Sequence, residues 1–296
     1  MSDALNISSS ATTATFARRG AELLSLRHRD REFICKPDPA LWNWGHSAPL
    51  LFPVVGRSRD DQVKVDGNAY PMPLHGFALS RDFRIVAAEP ARIEFELVDD
   101  DTTRAMFPFA FRLTVVATIG DGRLDFTATI ENTGARTAPF AFGYHPAFHW
   151  AQTPEERQTY ICKFECRESG EIRRGIKGVG LLRSDKYPLP LDDRILRLRD
   201  DVFGDGALQF EQVRSRRVWF GRPGDKGIEV RFPDSPQLGI WTRAGAPFLC
   251  IEPWQGLAEF ENGSGELAER PCPRFIAAGD RVAYRMAIEL DAEAIP

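Results

Sequence analysis

Phe111-Arg-Leu-Thr-Val-Val-Ala-Thr-Ile119 and Arg123-Leu-Asp-Phe-Thr-Ala-Thr-Ile130 stand either side of Asp121-Gly122. In both runs apolar side chains fall on every second residue, the period of a strand with one dry face and one wet face. Asp121-Gly122 tolerates the positive φ values of a tight hairpin turn. The same texture spreads outward to Arg92–Val98, Arg217–Phe220, Gly227–Phe232, Leu238–Thr242 and Val282–Leu290. Helical periodicity is scarce, and 21 prolines and 24 glycines interrupt the chain too often for long helices. Strands and turns from end to end predict an all-β sandwich or barrel.

Glu168 to Asp201 is charge-rich and irregular, but Pro188-Leu-Pro-Leu191 and Ile195-Leu-Arg-Leu198 anchor it. It reads as an excursion, so residues 16–296 are expected to form a single domain behind a polar tail at 1–15. All-β chains of this length often stay one domain. Hydrophobic residues make up 43% and charged residues 27%, ordinary values for a globular chain. A net charge of -4 offers no basic field for nucleic acid. No apolar run approaches the roughly 20 residues of a membrane helix, and the polar start is no secretory signal. The expected partner is a small molecule, with neither nucleic acid nor membrane, and the chain a monomer or homodimer. Five cysteines without framework spacing suit free thiols in a reducing cytoplasm.

Chemistry concentrates in three places. Glu252 ends the apolar run Pro247–Ile251 and is followed by Pro253 and Trp254. A carboxylate capping a buried strand is one that its surroundings can tune for use as a base. His145 lies in the aromatic stretch Phe140–Phe148, suited to stacking on a ring, and His75 lies in Pro73-Leu-His-Gly-Phe-Ala78. Taken alone, each histidine has an ordinary reading, as a loop brace or a satisfied core imidazole. Arg57 follows the apolar segment Leu51–Gly56, expected as a strand, and its planar five-donor head suits hydroxyl or carboxylate recognition. Arg59, Arg81 and Arg84 could join it in a cationic patch, and Trp42, Trp44, Trp241 and Trp254 could offer stacking faces for a sugar. His145 and His149 have helical metal-pair spacing, but Pro146 disfavours a helix there, and no metal site is expected. Neither a nucleophile elbow, a phosphate loop nor a dinucleotide fingerprint is present.

In order, Gly20-Ala-Glu-Leu-Leu-Ser-Leu26, Trp42 to Arg57, Pro73–Ala78, Gly143-Tyr-His-Pro-Ala-Phe148 and Cys250-Ile-Glu-Pro-Trp254 resemble the aldose 1-epimerase (galactose mutarotase) superfamily, in its LacX-like branch. The resemblance covers nearly the whole chain. It implies a large antiparallel β-sandwich with a sugar-binding cleft on one face, and an enzyme that interconverts α and β anomers of an aldohexose. By the same resemblance Glu252 is the general base, His145 the general acid, and His75 and Arg57 orient the substrate. No metal, cofactor or covalent intermediate is implied. The branch carries an acidic ligand just before Ala-Leu; here Gly206 holds that place and Asp205 stands one residue earlier. A one-residue slip along a strand turns a side chain to the opposite face. Two other readings share the fold: a non-catalytic carbohydrate-binding or regulatory protein, and an epimerase of hexose 6-phosphates. A glycosidase would need two facing carboxylates, and only Glu252 has such a context.

Overall fold

The computed structural model describes residues 4–36, 38, 45–176, 178–204 and 206–296. The hairpin forms as its alternation requires: Phe111–Gly120 pairs antiparallel with Arg123–Asn132, with Gly120 opposite Arg123 across the two-residue turn. Leu113, Val115, Ala117, Leu124, Phe126 and Ala128 point into the core from it. It sits inside a nine-stranded sheet ordered Ile195–Arg197, Ile161–Phe164, Arg217–Gly221, Gly227–Arg231, Arg281–Ala292, Arg123–Asn132, Phe111–Gly120, Arg92–Val98 and Arg84–Glu89.

A second sheet of eight strands runs Tyr187–Pro188, Glu171–Arg174, Leu208–Phe210, Gln237–Trp241, Phe248–Gln255, Phe142–Tyr144 and Leu50–Leu51, with Ala147–His149 also paired to Phe248–Gln255. Aromatic pairs lock the two sheets face to face. Phe126 meets Tyr144 at 5.8 Å between ring centroids, Phe142 stacks on Tyr284 at 5.4 Å, and Phe164 meets Phe210 at 5.4 Å. The Tyr144 hydroxyl donates to the Tyr284 carbonyl at 2.8 Å, so even the polar tip of a buried ring is satisfied. One contiguous apolar core runs from Ile7 to Leu290. The architecture is an antiparallel β-sandwich, not a barrel.

The structure departs from the expectations in three places. From Ala4 onward the expected tail is a hairpin, Ala4–Ser9 paired with Thr12–Ala17, because Ile7, Thr12, Ala14 and Phe16 alternate inward. Phe16 packs on Phe95 and Phe126 of the nine-stranded sheet at 5.8 and 6.0 Å. Hydroxyl-bearing strand residues had disguised that period as polarity. The segment Leu51–Arg57 is a strand only at Leu50–Leu51; beyond it the backbone bonds to the His75 loop instead of to a ladder. The irregular stretch Glu168–Asp201 supplies outer strands to both sheets, Glu171–Arg174 and the edge strand Tyr187–Pro188 to one, the edge strand Ile195–Arg197 to the other.

The eight-stranded sheet is apolar on both faces around Phe248–Gln255. Leu249 and Ile251 enter the main core, whereas Cys250 and Trp254 enter separate clusters on the far side. That far side carries the candidate site.

Candidate active site

The strand Phe248–Gln255 is flanked by Phe142–Tyr144 with Gly143 opposite Trp254, and by Ala147–His149 with Ala147 opposite Cys250. Between these two pairings the chain leaves the ladder at His145 and Pro146, opposite Glu252. The result is a contact: His145 Nε2 lies 3.0 Å from Glu252 Oε2, with the side chains 5% and 1% exposed. Two groups that deep are tolerable as ions only if each has the other, because desolvation of an unpaired charge costs several kcal/mol.

His75 completes a row of rings. Its imidazole stands edge-on to His145 with centroids 5.3 Å apart and planes at 89°. The residue adopts φ 64°, the left-handed region that a side chain enters only when its surroundings hold it there. What holds it is Gly56, whose N–H donates to His75 Nδ1 at 3.1 Å and whose carbonyl accepts the His75 N–H at 2.9 Å. An Nδ1 that accepts leaves the proton of a neutral ring on Nε2. Loss of hydration, and then the neighbouring His145, His46 and Arg270, hold His75 well below the ordinary histidine value. His75 is therefore a neutral donor, and the acid–base contact belongs to His145 and Glu252. Trp241 stands edge-on to His145 from another side, at 5.9 Å and 86°, and is only half-buried.

Arg57 directly follows the Gly56 that anchors His75. Its head reaches Asp61 at 3.4 Å and is 39% exposed, so it keeps donors for a ligand. The other three arginines are engaged elsewhere: Arg59 with the Gly263 carbonyl, Arg81 with Thr102, Arg84 with Glu96. Trp254 is buried, and its indole lies across the sheet on a bed of two glycines. A Cβ on Gly143 or Gly239 would come within 2.4 Å of the ring, so the flat floor requires both. Trp254 thus serves as packing beside Glu252, while Trp241 is partly exposed. Asp205, Trp42 and Trp44 lie outside the described residues. His149 lines a separate cavity of about 680 Å³ with His28, Phe33 and Tyr160.

Several site residues escape a reading of the sequence. Arg270 is buried and donates to the carbonyls of Val55 and Leu257 and to the Ser58 hydroxyl, while pairing with Glu259 at 3.7 Å. Glu259 in turn accepts the Arg59 N–H at 2.9 Å. This buried pair fixes the backbone on both sides of Arg57; burial lowers the Arg270 head to about 10. Glu22 binds the N–H groups of Ser47 and Ala48 and His46 Nδ1, tying down the approach to Leu50–Leu51. Cys250 places Sγ within 4.8 Å of the His145 and Glu252 ligand atoms, which makes these three the one metal-capable cluster found among the described residues. No sequence signal marks these partners, because the contacts that place them join distant segments: Glu22 to Ser47, Arg59 to Glu259, Val55 to Arg270 and His145 to Cys250.

A buried carboxylate touching an imidazole, with a neutral histidine donor alongside, is suited to moving protons on a neutral polar ligand. Residues 3–175 match the family model described as aldose 1-epimerase. The chain belongs to the aldose 1-epimerase family. That match includes Arg57, His75 and His145, and longer likenesses extend the relation past Glu252. Protein LacX of Lactococcus lactis subsp. lactis is 28% identical over 271 residues, 88% of this chain and 90% of LacX. Among solved structures, a galactose mutarotase-like protein from Lactobacillus casei has a TM-score of 0.90 at 29% identity, covering 97% of this chain and 99% of that one. A galactose mutarotase related enzyme from Lactobacillus acidophilus gives 0.86 at 26% identity, covering 99% of both chains. The antiparallel sandwich of this aldose 1-epimerase family member is therefore shared along its whole length.

Proposed function

We propose that the chain is a cytoplasmic aldose 1-epimerase that interconverts the α and β anomers of an unphosphorylated aldohexose. The observation that carries the reading is the 3.0 Å contact between His145 Nε2 and Glu252 Oε2. In a pyranose the anomeric hydroxyl and the ring oxygen are bonded to the same carbon. Their base and acid must therefore be near neighbours, as these two are.

In the ion-paired form, the Glu252 carboxylate takes the proton of the anomeric hydroxyl while the His145 imidazolium gives its proton to the ring oxygen. The C1–O5 bond breaks as the C1 carbonyl forms. Rotation about C1–C2 presents the other carbonyl face. Attack by the C5 hydroxyl then returns its proton to His145, and the new anomeric oxygen recovers one from Glu252. Protons balance over the cycle, and the pair ends as it began. Nε2–H of His75 and the Arg57 head would hold ring hydroxyls, and the partly exposed Trp241 would lie against the apolar side of the sugar.

The dispersal of Arg59, Arg81 and Arg84 supports a free sugar, since a phosphate is normally gripped by several cationic donors at one point. The test is exchange spectroscopy of the anomers of glucose, galactose and their 6-phosphates. Acceleration with free hexoses at least equal to that with phosphates is expected. Binding without acceleration would make the chain a carbohydrate-binding protein, and a strong salt-sensitive preference for phosphates would make it a sugar-phosphate epimerase.

A further inference from the structure

The proposed reaction leaves Cys250 without a role. It shares a strand face with Glu252 two residues on, and it is fully buried beside Cys35, Ala147, Ala246 and Phe248. Its Sγ, His145 Nε2 or Nδ1 and a Glu252 oxygen all lie within 4.8 Å of one another, and the nitrogen–oxygen edge of that triangle is 3.0 Å at Nε2. Donors bound tetrahedrally to Zn²⁺ at its usual bond lengths sit about 3.4–3.6 Å apart. The carboxylate and imidazole would open by a few tenths of an ångström, and the thiol would close by about 1.3 Å at most, movements within reach of side-chain rotation.

We propose that Cys250, His145 and Glu252 form a three-ligand capture site for a thiophilic divalent cation of the Zn²⁺ class, and that the captured ion switches the enzyme off. A sulfur ligand selects such ions over Mg²⁺ and Ca²⁺, which take oxygen donors. Three protein ligands leave a fourth position for water. On binding, the thiol proton and any proton on the coordinating ring nitrogen pass to solvent, and sulfur, nitrogen and carboxylate lone pairs bind the metal. No electron is transferred. Inhibition follows because the lone pairs that carried protons are occupied. The inhibition, though not the binding, rests on the acid–base reading above.

The direct probe is Co²⁺ titrated into the chelator-treated full chain and followed by absorption. One equivalent is expected to bind with the intense visible bands of a four-coordinate site and a near-ultraviolet band from thiolate to cobalt. Cys250→Ser should lose the near-ultraviolet band, His145→Asn should weaken Co²⁺ binding, and Cys35→Ala should retain both signals. In anomer exchange, Zn²⁺ should inhibit the wild type reversibly with EDTA, while Mg²⁺ at the same concentration should not. Cys250→Ser should need at least about tenfold more Zn²⁺ for the same fractional loss of its own metal-free rate. A wild-type titration without the thiolate band overturns the site even if the chain epimerises sugars. Equal Zn²⁺ sensitivity in Cys250→Ser overturns it too. A thiolate–cobalt band in a chain that moves no anomer would uphold the site and sink the enzymatic reading instead.

Discussion

His145 and His75 stand 5.3 Å apart in similar surroundings, yet their bonds give them different work. His145 touches the carboxylate, so His145→Asn should lower the catalysed rate by about 10²–10⁴, the usual weight of one acid–base group. His75 has its Nδ1 taken by Gly56 and can only donate from Nε2. His75→Asn should therefore raise KM more than it lowers kcat, since an orienting donor acts on ground and transition states alike. Steady-state kinetics on both variants checks the assignment; a larger kcat loss for His75→Asn would exchange the roles. Proton linkage offers a second check. The folded chain holds His75 well below 6.5, so below that pH the unfolded chain binds the proton more readily. His75 thus contributes stability that is present above about pH 6.5 and lost as pH falls. Urea unfolding between about pH 7 and 5 should show a smaller loss in His75→Asn than in the parent.

The elements that make the site are short irregular departures from strands, and this explains what the sequence does and does not reveal. Alternation in Phe111–Ile130 announces the sandwich because one face there is wet. Phe248–Gln255 shows no alternation because both of its faces are covered, so Cys250 cannot be read as a companion of Glu252. Glu252, His145, His75 and Arg57 were legible as unusual residues in unusual contexts. The convergence of Glu252, His145 and His75 was not, since it depends on Gly56 bonding His75 and on the chain leaving its ladder at Pro146. The Arg270–Glu259 pair is the least legible part, a strut between the loop after Leu50–Leu51 and the segment past Gln255. Arg270→Met should leave Glu259 as an uncompensated buried charge and the Val55 and Leu257 carbonyls without a donor, costing about 3–5 kcal/mol. Denaturant unfolding measures that loss. The freed Arg57 loop should also raise KM for sugar, whereas an exposed arginine such as Arg29 should matter little when removed.

At the scale of the whole molecule, a two-sheet sandwich supplies a rigid face on which strand register sets the spacing of functional groups. The chain carries a net charge of -4 and binds its scattered arginines to internal partners. Turnover of free hexoses should accordingly change little between low and high salt, and Arg57→Ala should cost about as much for a hexose as for its 6-phosphate. Activity should survive EDTA, since the proposed proton transfers through His145 and Glu252 need no metal. The most direct test of the central claim is the anomer exchange rate of a free hexose with Glu252→Gln beside the wild type. Gln keeps the shape and the contact with His145 but cannot take the hydroxyl proton. The expected result is a folded variant, native by circular dichroism, whose catalysed rate is lower by about 10²–10⁴. A folded Glu252→Gln variant that exchanges anomers at the wild-type rate would contradict the account.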